Sequence, residues 1–427
     1  MGVSSCDNII LGSCHNMVFK QASRWTRNKK VVYMKSGNVA VVLIGMAYPY
    51  GVVRHLALLG MEIYKASHDT FDFYFASINR ESDPGSWDLL RTVIPETRML
   101  RAVSFDALTD RVVSLAERYT QVIVHTGGGW GQTKHFVRAR KRMDKKLVSR
   151  LIFIGTTHSY RQDSFLRIPM SVFQYALYRL YYRMVVFQCQ DAADRFVGGN
   201  DLIKRGRGAI VPLGCESFQK VYETIPDGIA ANHQLRELLT NPSLFKFVYL
   251  AAFRPGKMHV WLVKAITAVL RRHPEAVLIC CGTQIGNTVR KVSQAITVAG
   301  LGKQIIITQK IPRSDIPWLL LHSDCAIVPS RAETFGHNFL EPMFAGLPVI
   351  GTAVGVGRDV IVDDETGYFI DLHDPLSVSI TVERILTDRP RAKRMGLAAR
   401  EKVLHRYTHA MIAKQLVELY NKIFTRG

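Results

Sequence analysis

Pro329-Ser330-Arg331-Ala332-Glu333-Thr334-Phe335-Gly336-His337-Asn338-Phe339-Leu340-Glu341 is the densest stretch of this 427-residue sequence, and its reading decides the fold. The run before it, 325–328, is short and apolar, as a strand buried on both faces requires. The residues after Gly336 carry a helical pattern that ends at Gly346, a residue suited to a left-handed cap, with Pro348 beyond it as a stop. The stretch is therefore a strand-to-helix turn. Gly336 lets a ligand approach the backbone closely. The free N–H groups from Gly336 to Phe339 sit at a helix N-terminus, which carries partial positive charge and suits a phosphate. Glu333 lies before the helix and Glu341 inside it, so the two carboxylates can face different parts of one ligand. Pro342 removes a hydrogen bond from the helix and frees the carbonyl of Asn338, which predicts a kink beside the site.

Working outward, the same strand-then-helix rhythm recurs on both sides. Within the same half of the chain, strands are expected at 247–251, 276–281, 304–308 and 348–351, with a helix at 260–272. Towards the N-terminus they are expected at 39–44, 71–76, 121–125, 151–154, 184–187 and 209–211, with a helix at 52–64. Strands alternating with helices predict parallel sheets with helical crossovers. Residues 215–245 lack strand signals and carry Pro226, Asp227, Gly228, Asn241 and Pro242, so they read as a connection with a short helix. The length also favours two cores over one. The expected organisation is an irregular extension over 1–36, a first domain over 37–216 and a second over 217–407. The apolar stripe of Met411, Ile412, Leu416, Leu419, Tyr420 and Ile423 predicts a last helix, within 408–427, that packs back on the first domain.

The net charge is +21, of which residues 1–220 carry +14, from 31 basic and 17 acidic side chains. Such a half is suited to an anionic partner: nucleic acid, anionic lipid or a phosphorylated substrate. Seven cysteines with no C-x-x-C pair read as reduced thiols in a cytoplasmic protein, without a zinc site. No apolar run reaches the length of a membrane-spanning helix.

The stretch from Cys325 to Asp374 resembles the nucleotide-sugar signature of glycosyltransferase family 4. The matching residues are Pro329-Ser330, Glu333, Phe335-Gly336, Leu340-Glu341, Ala345-Gly346-Leu347-Pro348-Val349-Ile350 and Thr366-Gly367. Upstream, Ala251-Ala252-Phe253-Arg254-Pro255-Gly256-Lys257 is similar to the family segment that bears a phosphate-binding Arg and Lys. The resemblance implies a GT-B fold, an α/β architecture of two Rossmann-like doubly wound domains facing across a cleft, and a retaining transfer from a UDP- or GDP-sugar. It implies that Arg254 and Lys257 hold the diphosphate, that Glu333 binds sugar hydroxyls and that Glu341 binds the ribose. Gly282 and Ile311 fall in loops around the base, and His337, Asn338, Phe339 and Leu340 complete the donor-binding turn. In the first half, His158 in Thr157-His158-Ser159 corresponds to a histidine near the anomeric carbon. Gly51 stands in the cleft where the family has two glycines. No D-x-D tripeptide occurs, so no metal cofactor is expected. Fixed cations stabilise a departing diphosphate instead.

Residues 134–150 hold Lys134, Arg138, Arg140, Lys141, Arg142, Lys145, Lys146 and Arg150 against Asp144 alone. At helical spacing this predicts one cationic face. Residues 165–187 interleave Phe173, Tyr175, Tyr178, Tyr181 and Tyr182 with Arg167, Arg179 and Arg183. Together they suit the headgroup region of an anionic membrane on the cytoplasmic side; no nucleic-acid-binding module is recognisable. The expected acceptor is a glycan or lipid-linked molecule of cell-envelope polysaccharide or glycolipid synthesis. A nucleotide-sugar epimerase of the same architecture and a non-catalytic sugar-nucleotide-binding protein remain alternatives.

Overall fold

A strand that is apolar at every position must be covered on both faces, and the chain does this twice. The structure, a computed structural model, describes residues 39–44, 52–67, 69–78, 84–127, 130–141, 143–156, 167–215, 233–308, 311–312 and 315–425. Seven strands form a first sheet: β1 (Val39–Ile44), β2 (Asp72–Ile78), β3 (Met99–Ala102), β4 (Gln121–Thr126), β5 (Leu151–Thr156), β6 (Met184–Phe187) and β7 (Gly208–Ile210). Six form a second: β8 (Phe245–Leu250), β9 (Ala276–Cys281), β10 (Ile305–Thr308), β11 (Cys325–Val328), β12 (Val349–Gly351) and β13 (Gly367–Phe369). Every described pairing is parallel, for example Val41 beside Phe73 and Ile123. The central strands β1, β9 and β11 are buried along their whole length.

The first sheet runs β3-β2-β1-β4-β5-β6-β7 and the second β10-β9-β8-β11-β12-β13. Each order reverses once, between β1 and β4 and between β8 and β11. The connections leaving these neighbours diverge, which opens a crevice outside the carboxyl ends of the strands where α/β proteins hold ligands. The two sheets thus define two lobes, each with one crevice.

The helix His409–Thr425 returns to the first lobe. Its Ile412, Leu416, Tyr420 and Phe424 share a core with Val39, Val41 and Phe73. Tyr420 also meets His125, whose Nδ1 lies 2.6 Å from the phenol oxygen and whose Nε2 lies 2.7 Å from Thr156 Oγ1. Burial pushes the His125 imidazole down to about 4, so it is neutral. The chain leaves the first lobe where it re-enters it: Cys215 N–H donates to the Tyr407 carbonyl over 2.7 Å, and Cys215 bridges Thr408 in parallel.

Two edge strands, β3 and β13, carry no strand signal in the sequence. Met99–Ala102 has no β-branched residue and is half-exposed at its centre, while Gly367–Phe369 is three residues long. The 134–150 expectation is corrected. The segment is two helices, Trp130–Arg140 and Lys145–Arg150, and Asp144 breaks the run by capping the second: its carboxylate accepts from Leu147 N–H at 2.7 Å. In the 165–187 stretch the helix ends at Tyr181 and Met184–Phe187 is β6, the expected strand. The headgroup-facing expectation is corrected for Tyr178 and Tyr182, which are core residues. The cysteines Cys189, Cys215, Cys280, Cys281 and Cys325 are buried free thiols.

Candidate functional site

The second crevice is lined by the two turns that leave β8 and β11. After β8, Arg254 begins a single 3-10 turn, Pro255–Lys257, and Met258 in the left-handed region redirects the chain into helix His259–Arg272. This turn points the two cations apart. Lys257 is buried at 7% exposure, whereas Arg254 is exposed and its guanidinium makes no hydrogen bond among the described residues. The turns are tied by the Arg331 N–H, which donates to the Gly256 carbonyl at 3.0 Å.

After β11, the turn brings Glu333 back under the helix His337–Phe344. Its carboxylate is buried, with 8% exposure. Three donors converge on a single oxygen: Lys257 Nζ, Ser330 Oγ at 2.7 Å and Asn338 Nδ2 at 3.0 Å all give protons to Glu333 Oε1. Burial opposes ionisation of this carboxyl. The Lys257 charge and the three hydrogen bonds outweigh burial and hold it below the usual carboxylate range. Among the described residues, Glu333 Oε2 makes no hydrogen bond. An ammonium has three protons, and Lys257 gives only one to Glu333. The site therefore presents one carboxylate oxygen and two N–H groups that its own side chains leave uncommitted.

The supports are as specific as the pair. Tyr249, fully buried on β8, donates to the Lys257 carbonyl at 2.7 Å, and Thr352 Oγ1 donates to the Ser330 carbonyl at 2.6 Å. Gly336 has φ +104°, and a side-chain carbon there would fall 2.9 Å from the Phe339 ring and 3.4 Å from Glu333 Cγ. Only glycine lets the chain turn into the helix so close to the carboxylate. The helix closes with paired end bonds, Leu347 N–H to the Pro342 carbonyl and Gly346 N–H to the Met343 carbonyl, both 3.0 Å. Pro342 lies two residues before the helix ends, so its missing bond falls in the last turn.

The structure therefore brings Lys257, Glu333, Gly336 and Asn338 together, with Arg254 exposed at the N-terminus of the Pro255–Lys257 turn. Phe335, Phe339 and Leu340 are buried beneath the turn and belong to the core of the second lobe. Glu341 is half-buried one helical turn on. Gly282 follows β9, where a side chain would collide with the Ala251 carbonyl, and Ile311 packs against the same core. His158 and Gly51 lie outside the described residues. Among the described residues, no group of three or more His, Cys, Asp or Glu is placed to hold a metal.

The first lobe holds the same turn from its other side. Asp191, buried at 3% exposure, accepts from Gly355 N–H at 2.8 Å, Arg195 Nε at 2.8 Å and Arg358 Nη1 at 3.3 Å. Asp194 accepts from the same Arg358 nitrogen at 3.0 Å. Gly355, at φ +56°, lies against Glu333: a side-chain carbon would fall 2.8 Å from Glu333 Cβ. Cys189 Sγ lies 3.7 Å from the Thr334 carbonyl, and His55 stacks on His337 with ring centroids 4.1 Å apart. Sequence reading missed Tyr249, Asp191 and the side-chain role of Asn338. No local pattern marks Asp191, which lies 164 residues from Gly355.

This geometry sits inside a recognisable segment. Residues 232–402 match the family model of the glycosyl transferases group 1. The chain is 30% identical over 163 residues to a D-inositol 3-phosphate glycosyltransferase of Corynebacterium diphtheriae, covering 37% of this chain and 38% of the relative. It is 29% identical over 177 residues to the putative glycosyltransferase YtcC of Bacillus subtilis, covering 40% and 44%. The chain thus spans less than half the length of these curated relatives. Among solved structures, Anabaena HepE in complex with UDP superposes with a TM-score of 0.69 at 18% identity, over 91% of this chain and all of that one. Sucrose-phosphate synthase of Thermosynechococcus elongatus gives 0.65 at 19%, over the same shares. The fold is GT-B, an α/β fold of two facing Rossmann-like lobes.

The Asp191 contacts make a direct prediction. Asp191→Ala removes the acceptor of the buried Gly355 N–H and the charge opposite Arg358, which should cost roughly 3 kcal/mol of stability. Amide hydrogen exchange over 352–358 should accelerate more than exchange in β8 and β9. Exchange that stays unchanged at 352–358 would contradict a clamp on this loop.

Proposed function

We propose that the protein is a glycosyltransferase that moves a sugar from a UDP- or GDP-sugar to a glycan or lipid-linked acceptor, with retention at the anomeric carbon. The observation that carries this reading is the buried Lys257–Glu333 pair at the crevice of the second sheet, within the segment that matches glycosyl transferases group 1. A nucleotide-sugar needs both poles of this pair. Its diphosphate needs donors, which Arg254, the uncommitted N–H groups of Lys257 and the N-terminus of helix His337–Phe344 supply. Its sugar hydroxyls need an acceptor fixed in place, which Glu333 Oε2 supplies.

Bond breaking leaves extra charge on the departing diphosphate. Preorganised cations and backbone N–H groups stabilise that charge without reorganising, and no metal is required for this role. Glu341 is assigned to the ribose, and His158 and Gly51 of the first half to the sugar face and the cleft. That the solved structures of HepE hold UDP or UDP-glucose supports a uridine donor as the first to try. The acceptor fits cell-envelope polysaccharide or glycolipid synthesis.

A membrane-facing surface accompanies this reading. On helix Arg167–Tyr181, Val172, Phe173 and Leu180 are exposed at helical spacing, with Arg179 and Arg183 beside them. Lys145 and Lys146 are exposed on helix Lys145–Arg150. Exposed apolar side chains with arginines close in sequence suit insertion at an anionic headgroup layer. Among the described residues, no helix is long and apolar enough to cross a membrane.

The enzyme assay is release of nucleoside diphosphate from UDP- and GDP-sugars in the presence of acceptor mixtures. Glu333→Ala and Lys257→Ala should each lower acceptor-dependent release by at least about 100-fold, the scale for loss of a preorganised charge-stabilising group. Wild-type turnover in both variants would sink the assignment, and donor consumed equally without acceptor would point to an epimerase. For the surface, the chain should float with phosphatidylserine-containing vesicles at low salt and less so for Phe173→Glu. Equal recovery with neutral vesicles would remove the anionic-surface claim.

A further inference from the structure

The crevice of the first sheet holds a cavity of about 70 Å³ that the donor chemistry does not use. Its walls come from the carboxyl ends of five strands and their following residues: Leu43 on β1, Thr126 on β4, Thr156 on β5, Gln188 after β6 and Leu213 after β7. Leu56 and Leu59 from helix Val52–Ala66 and Leu416 from helix His409–Thr425 close it. It therefore occupies the reversal point of the first sheet, the counterpart of the donor crevice in the second, where α/β sheets take ligands. Nine of its fourteen lining residues are aliphatic.

Four polar side chains interrupt that lining: His125, Thr126, Thr156 and Gln188. Gln188 is 3% exposed, and its Oε1 is buried without a hydrogen-bond donor. An unmet buried amide costs about 1–3 kcal/mol, so such a group calls for a partner. A lone water is a poor one, because a buried water needs about two to four polar contacts. The polar neighbours already have partners: His125 is held by Tyr420 and Thr156, and Thr126 Oγ1 lies 3.4 Å from the Tyr182 hydroxyl. A molecule that fills the aliphatic part and brings its own hydrogen-bond donor satisfies both demands. The volume is about half of the ~150 Å³ cavity that takes up benzene, so it suits a segment of roughly three or four carbons.

We propose that this cavity binds a short aliphatic segment of the acceptor, adjoining a hydroxyl or amide that donates to Gln188 Oε1. The inference rests on the glycosyltransferase reading and narrows its acceptor to a molecule with an aliphatic portion near its polar group. Position supports this assignment. The residue after Gln188, Cys189, contacts the Thr334 carbonyl of the donor turn, so a ligand held by Gln188 lies beside the lobe that carries Glu333.

The test measures binding of methyl and butyl β-glucoside to the full chain by saturation-transfer NMR, with UDP present. Three added methylenes should make the butyl compound bind about tenfold tighter or more. Leu56→Trp, which places bulk at a half-buried wall, should abolish that preference with melting temperature checked in parallel. Gln188→Leu should weaken the butyl compound severalfold while leaving UDP binding unchanged. Equal binding of the two glucosides, or a preference that survives Leu56→Trp, overturns the proposal. UDP-induced thermal stabilisation is read in the same samples. Its absence counts against the donor reading alone, because the glucoside preference is read in samples without UDP as well.

Discussion

Two opposite charges, Lys257 and Glu333, are buried together, and much of the second lobe is arranged so that they can be. Removing a carboxylate and an ammonium from water costs several kcal/mol per ion after relaxation, and their attraction repays this only with good geometry and further hydrogen bonds. The chain supplies both. Lys257 comes from the turn after β8 and Glu333 from the turn after β11, and these strands are neighbours only because the sheet order reverses between them. Ser330 and Asn338 add two donors to the same carboxylate oxygen. Tyr249 and Thr352 then fix the backbone on which the pair rests.

The pair also explains why the turn around it is so constrained. Gly336 and Gly355 both take left-handed backbone; a side-chain carbon at Gly355 would crowd Glu333, and one at Gly336 would crowd the Phe339 ring beside it. A carboxylate anchored through Oε1 keeps a fixed direction for Oε2, which is what recognition of a sugar hydroxyl needs. The first lobe reinforces this direction from outside, through Asp191 on Gly355 and His55 on His337. The contacts between the lobes therefore fall on the donor turn itself, and the crossing at Cys215 and Tyr407 marks where the connections run together.

Much of this was legible from residue order. β1, β9 and β11 are all-apolar runs, and the Pro329–Glu341 turn announces itself by a strand, a glycine and a capped helix. What was not legible has a common cause. The edge β3 is half-exposed at its centre and β13 is only three residues long, so neither has the apolar density that betrays a central strand. Asp144 ended a basic helix that charge counting had run straight through, because a capping aspartate looks like one acid among eight cations. Asp191 acts across contacts of up to 167 residues' separation, which no local pattern encodes, while the Tyr249 and Asn338 bonds span only eight and five residues but depend on how the two turns fold. Gln188 was silent for the same reason: an unmet amide is visible only once its surroundings are known.

The most direct measurement is a crystal structure of the full chain with UDP bound. The account predicts the diphosphate between Arg254 and the N-terminus of helix His337–Phe344, with a phosphate oxygen within hydrogen-bond distance of Lys257 Nζ and Glu333 Oε1 still held by Ser330 and Asn338. A diphosphate bound elsewhere on the chain, or a Glu333 carboxylate displaced from these partners to admit it, would contradict the account.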